Sequence, residues 1–278
     1  APNVGGVVLG VGSDPGSSIE NVFAGDANDR LTGDVDDNVL GDGFGNDVLD
    51  GGPDGDDTFR LEPGQFFLED PPSNDYIIDR GDGTNDTVDF RFAMAGIVID
   101  MDINDTAQDV MPDVLPGGTP GVIGAQNVTL NHDVPGGQPL ASPSPFENVT
   151  GSQYNDEFYI DPMTESGNVP AGLPPVIRHV DGNDPPDDGT PPDPADPNPP
   201  GDTIYFEADG NEVRNTGDSL TSTGVSGITY ESLETFALEN PSPRIVDNDD
   251  DGWSYSGRFA PIDNQGYDGD IHYKYLAG

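Results

Sequence analysis

Gly41-Asp42-Gly43-Phe44-Gly45-Asn46-Asp47-Val48-Leu49-Asp50 runs without a break into Gly51-Gly52-Pro53-Asp54-Gly55-Asp56-Asp57-Thr58-Phe59-Arg60. Each stretch opens on glycine and short acids and closes on a brief run centred on an apolar residue. Glycine permits positive φ, so a tight turn can direct its carbonyl oxygens inward. Asp closes the turn, and the apolar residue two positions later begins a strand with one side chain to bury. Working outward, the same Asp-x-apolar-x pattern appears in Asp29-Arg30-Leu31-Thr32-Gly33 and Asp37-Asn38-Val39-Leu40-Gly41. The spacings of Asp29, Asp37, Asp47 and Asp57 are 8, 10 and 10 residues. A unit this short holds one turn and one short strand, and no helix.

A longer repeat overlies the short one. Ile19-Glu20-Asn21-Val22-Phe23-Ala24-Gly25 with Asn28-Asp29 returns as Phe146-Glu147-Asn148-Val149-Thr150-Gly151 with Asn155-Asp156. Asn85-Asp86-Thr87-Val88-Asp89-Phe90 is echoed by Asp202-Thr203-Ile204-Tyr205-Phe206. The expected organisation is a lead-in over 1–18, a first repeat unit over 19–145 and a second over 146–240. Alternating stretches such as Ile97-Val98-Ile99-Asp100-Met101 fit strands with one buried face. The Pro/Asp-rich insert 184–200 in the second unit suits neither helix nor central strand, and is expected as an exposed excursion from a turn. Residues 241–278 change composition, with Trp253, Lys274 and several tyrosines, and read as the truncated start of a C-terminal β domain.

Charge narrows the chemistry. Nine Lys and Arg face 53 acids, a formal net charge of −44. Nucleic acid and anionic membrane surfaces are therefore poor partners. Eleven of the acids are Glu and 42 are Asp, a bias that neither a disordered solvated tract nor a high-salt surface requires. Turn formation and ligation of a hard cation do favour the shorter carboxylate. Cysteine is absent, so thiolate sites and disulfides are excluded, and bound cations would be the available cross-links. No apolar run approaches the roughly 18 residues of a membrane span. The histidines, His132, His179 and His272, are far apart, and neither a H-E-x-x-H helix nor a G-x-S-x-G elbow occurs. The chain is expected not to be an enzyme.

The turns at Gly43–Asp47 and Gly51–Asp57 resemble the hemolysin-type (RTX) calcium-binding repeat, G-G-x-G-x-D-x-U-x with U apolar. That resemblance implies an all-β fold, a β-roll or β-solenoid with interspersed strands and long loops, in which successive turns share Ca²⁺. It implies as ligands Asp29, Asp37, Asp47 and Asp57, with carbonyls around Gly33, Gly43, Gly45, Gly52 and Gly55. Asp86, Asp156 and Asp202 stand in isolated turns and would need ligands from elsewhere. The interspersed units resemble the degenerate RTX modules of very large bacterial surface proteins. Asp247, Asp249 and Asp251 have the D-x-D-x-D-G spacing of an EF-hand loop, but Arg258 stands where the closing acid belongs. The last 35 residues resemble the opening of a golvesin-type, carbohydrate-binding-like domain.

The function expected is a calcium-binding structural or adhesive module of a secreted or cell-surface protein. Its partners would be calcium ions, neighbouring copies in a fibre or surface layer, or surface glycans. Two alternatives stand beside it: the C-terminal secretion and folding segment of an exported hydrolase, and a glycan-binding surface module. Within the repeat, Asp50 occupies the variable position after the apolar residue and is expected to tolerate alanine.

Overall fold

The chain is described by a computed structural model over residues 8–10, 20–62, 73–79, 85–93, 95–101, 103, 105–111, 126–132, 146–160, 178–183, 202–207, 213–215, 218–222, 225–233, 235–239, 244–247, 254–256 and 272–276. The insert 184–200, Asp249 and Asp251 lie outside these residues. Every regular element among the described residues is a strand, as the turn-rich composition predicts. Each Asp/Gly turn ends in a strand of three residues, such as Arg30–Thr32, Val39–Gly41, Val48–Asp50 and Thr58–Arg60.

From Asn21 to Asp89 successive strands do not pair with each other. Arg30–Thr32 pairs in parallel with Val48–Asp50, which pairs with Ser73–Asp79 in a first sheet of six strands. Asn21–Phe23, Val39–Gly41, Thr58–Arg60 and Thr87–Asp89 follow one another, also in parallel, in a second sheet of eleven. The chain thus crosses between the sheets at every turn from Asn21 to Asp89. From Asn148 onward strands of the second sheet are interleaved instead with those of a third, of five strands, which includes Glu157–Ile160 and Thr203–Glu207. Asn148–Thr150 pairs with Thr87–Asp89, so one sheet runs through both sides of residue 145. Near the C-terminus, Arg244–Asp247 pairs with Val213–Asn215, and His272–Leu276 with Thr235–Glu239.

The register explains the period of the sequence. Leu31, Leu49, Ile77 and Leu130 are direct neighbours in the first sheet. Val22, Leu40, Phe59, Val88, Val149, Val180 and Tyr230 form the equivalent column in the second. Ile99, Phe158, Ile204 and Phe236 do so in the third. All of these side chains belong to one buried cluster. With three-residue strands, each turn of chain has one principal apolar side chain to bury, worth roughly 1.5–3 kcal/mol when fully covered. These residues stack as columns, one per rung, and residues such as Leu61, Phe90, Met101 and Phe206 complete the core beside them.

Candidate functional site: the carboxylate columns

Immediately before each column of apolar residues, on the same rungs, runs a column of short polar side chains. In the first sheet it is Asp29, Asp47 and Asp75, and the next rung has Val128. In the second it is Asn38, Asp57, Asp86 and Glu147, followed by Arg178. In the third, Asp156 and Asp202 stand after Ile97. Asp29, Asp47, Asp57, Asp86, Asp156 and Asp202, predicted as ligands from sequence, are all buried here.

One oxygen of each carboxylate replaces a backbone carbonyl. The amide of Asp29 donates to Asp47 Oδ1 (2.6 Å), and that of Asp47 donates to Asp75 Oδ1 (2.9 Å). In the second sheet Asn38 donates to Asp57 Oδ1 (2.9 Å), Asp57 to Asp86 Oδ1 (2.7 Å), and Asp86 to Glu147 Oε2 (3.0 Å). In the third, Ile97 donates to Asp156 Oδ1 (2.6 Å) and Asp156 to Asp202 Oδ1 (2.7 Å). A buried amide left unpaired would cost about 1–3 kcal/mol, and a short acceptor side chain prevents that.

The second oxygen reaches back across its own turn. The Gly25 amide donates to Asp29 Oδ2 (3.1 Å) and the Ser152 amide to Asp156 Oδ2 (2.6 Å), while at Asn38 the single side-chain oxygen does the same, accepting from the Asp34 amide (2.8 Å). At Asp47 this bond is diverted, because the Gly43 amide donates to Asp42 Oδ1 instead (2.7 Å). Asp47 Oδ2 is left buried without a hydrogen-bond partner, on a residue only 1% exposed. Asp86 Oδ2 is left in the same state.

Burial and mutual repulsion set the ionisation of these groups. Burial pushes Asp47 up to about 7; the amide of Asp29 opposes the shift, and the charges of Asp75 and Asp29 add to it. Burial likewise takes Asp57 to about 7 and Asp75 to about 6. Asp86 reaches about 9 through burial and then the charge of Asp79, and Glu147 about 8 for the same two reasons, opposed by its hydrogen bond from Asp86. Asp42 is held well above the usual carboxylate range by burial and by Asp75. The columns favour any species that removes negative charge, whether a proton or a metal cation.

Several expectations need correction or extension. Asp37 is exposed and stands one residue outside the column, where Asn38 takes the predicted place. Its Oδ1 accepts from the Asp56 amide (2.9 Å), matching Asn28, which accepts from Asn46 (3.1 Å). Leu40 decides the register, because the column residue lies two positions before the buried apolar side chain, and that residue is Asn38. Asp50 is buried and ion-paired to Arg30 (3.3 Å), so it is not a free variable position. Gly43, Gly45, Gly52 and Gly55 have the positive φ expected of them, at 76°, 149°, 116° and 102°, whereas Gly33 does not. Asp247 ends a strand away from these columns.

The sequence reading missed Asp42, Asp75, Asp79 and Glu147. Asp75 carried a usable signal, since Asn74-Asp75 is the same Asn-Asp pair as Asn28-Asp29 and has Ile77 two positions on. Among the described residues no three His, Asp or Glu side chains are drawn together tightly enough to form a ready coordination sphere.

Gly51 gives a direct test of the turn. A Cβ there would lie 2.1 Å from Asp57 Oδ2, so the carboxylate would have to leave its place over the glycine. Gly51→Ala should cost roughly 1–3 kcal/mol in urea unfolding. Gly25→Ala, where a Cβ meets nothing within 4 Å, should change stability by less than about 0.5 kcal/mol. Comparison with family models, with curated proteins and with solved structures finds no match for this chain.

Proposed function

We propose that the chain is a structural module of a secreted or cell-surface protein, an RTX-like β-roll whose buried carboxylate columns are neutralised by Ca²⁺. The observation that carries this reading is Asp47 Oδ2, buried and without a partner beside Asp42 and Asp75, in the turn closest to the calcium-binding consensus. An oxygen-only donor set suits a hard cation, and turn carbonyls with water would complete six to eight ligands. Asp47, Asp42 and Asp75 would hold the ion, with Asp29 and Asp57 in the adjoining turns. Bound calcium would supply compensating charge and tie neighbouring rungs together. The strand alternation between sheets and the parallel columns support the roll, and the −44 net charge supports a role for cations in its stability.

Calcium binding to the folded state should be visible as stabilisation. At Kd values of about 10⁻⁴–10⁻³ M, millimolar calcium contributes about 1–2 kcal/mol per site. Asp47→Asn keeps an acceptor for the Asp29 amide while removing the charge, so it should lose calcium affinity at least tenfold by titration calorimetry and keep its fold. Identical melting in calcium and in EGTA would sink the proposal, and rescue by NaCl alone would assign the acidity to high-salt adaptation.

A further inference from the structure

A second group of carboxylates lies at the turns that lead from the first sheet into the second. Asp79 ends the strand Ser73–Asp79 at the register position held by Gly33 and Gly51 in the two preceding rungs. Glycine at that place lets the column side chain fold back over the turn: Cβ atoms on Gly33 and Gly51 would collide with Asn38 and Asp57. Asp79 instead brings a carboxylate to it. Asp79 is 2% exposed and Asp86 fully buried, and the charge of Asp79 raises Asp57, Asp86 and Glu147 alike. Glu147 arrives from 61 residues further along the chain and binds the Asp86 amide. The charge of Arg178 acts on Glu147 and lowers it. Asp86 Oδ1 is committed to the Asp57 amide, and Asp86 Oδ2 is buried with no partner.

We infer that Asp79, Asp86 and Glu147 form a second site for a hard divalent cation, outside the Asp/Gly repeat, with Asp86 Oδ2 as its anchoring oxygen. The donors are all oxygen, which favours the calcium and magnesium class over zinc. The carboxylates of Asp79 and Glu147 would turn toward Asp86 Oδ2 as the ion enters, since they do not converge without it. The inference rests on the reading that the columns take calcium, but it places an ion where no repeat consensus exists. Asp79 carries the specificity, because it stands where the repeat elsewhere has glycine.

The experiment is calcium titration calorimetry on the full chain, with melting curves in EGTA and in calcium. Asp79→Gly restores the residue of the neighbouring rungs and should fold. It should bind one calcium fewer than the unaltered chain, melt higher in EGTA because a like charge is gone, and gain less on adding calcium. Asp79→Asn, of the same shape without the charge, should lose the same site with at least a tenfold drop in affinity. Calcium stoichiometry and affinities unchanged in both variants would overturn the second site. If Asp47→Asn loses a site while both Asp79 variants keep theirs, only this inference falls; if the unaltered chain binds no calcium, the first reading falls with it.

Discussion

Phe59→Ala should destabilise the chain by about 3–5 kcal/mol, measured by urea unfolding in saturating calcium. Phe59 is the largest fully buried side chain of its column, between Leu40 and Val88. Its ring meets Phe146 edge to face, with centroids 5.5 Å apart, so truncation opens a void against a second aromatic ring as well as its column neighbours. Phe23→Ala is the informative contrast. Phe23 is 53% exposed on the outer face of the same sheet and lies against the Arg60 guanidinium, 5.5 Å from ring centroid to Cζ. Its loss should cost under about 1 kcal/mol. A greater loss from Phe23 than from Phe59 would mean that the inward and outward faces have been exchanged.

The second large effect is on pH dependence, and its sign is unusual for acidic groups. Asp47 and Asp57 near 7, Asp75 near 6, Glu147 near 8 and Asp86 near 9 all lie above the values of about 4 expected in the unfolded chain. Between these limits the folded state binds more protons than the unfolded state, so stability falls as pH rises. In EGTA the melting temperature should drop from pH 5.5 to pH 9, by on the order of 5–10 °C, and level off above that window. Calcium should flatten or reverse the trend, because a metal ion requires ionised ligands and displaces the protons. A melting temperature in EGTA that rises steadily over the same range would contradict the burial of these carboxylates.

The sequence discloses the fold more readily than the chemistry. The Asp-x-apolar-x spacing identifies Leu31, Leu49 and Phe59 as inward residues, and the same spacing locates Asp29, Asp47 and Asp57 one step before each strand. It places Asp37 wrongly, because two adjacent short polar residues both suit a turn and only the distance to Leu40 distinguishes them. Asp79 is not legible at all. Its position is defined by Gly51 on the adjoining rung, 28 residues earlier, and Gly33 one rung further, 46 residues earlier, separations that no local pattern preserves. The double use of the Asp156 carboxylate, one oxygen for the next rung and one for its own turn, depends on geometry across rungs. Both an ordinary turn and a metal ligand would favour Asp there, so residue type alone does not separate them.

Gly151 and Gly182 carry a consequence for how such a chain can diversify. A Cβ on Gly151 would lie 2.3 Å from Asp156 Oδ2, and one on Gly182 would lie 2.0 Å from Asp202 Oδ2. The same clasp therefore closes over 5 residues of chain in one case and over 20 in the other. Four times the length is two doublings, an added closure cost of only about 1.2 kcal/mol for a flexible loop. Rung geometry is thereby insulated from loop content: the clasp fixes where the chain leaves and where it returns, and leaves the sequence between them open to replacement. A lineage built on this plan can exchange whole loops, or receive foreign ones, without redesigning its interior.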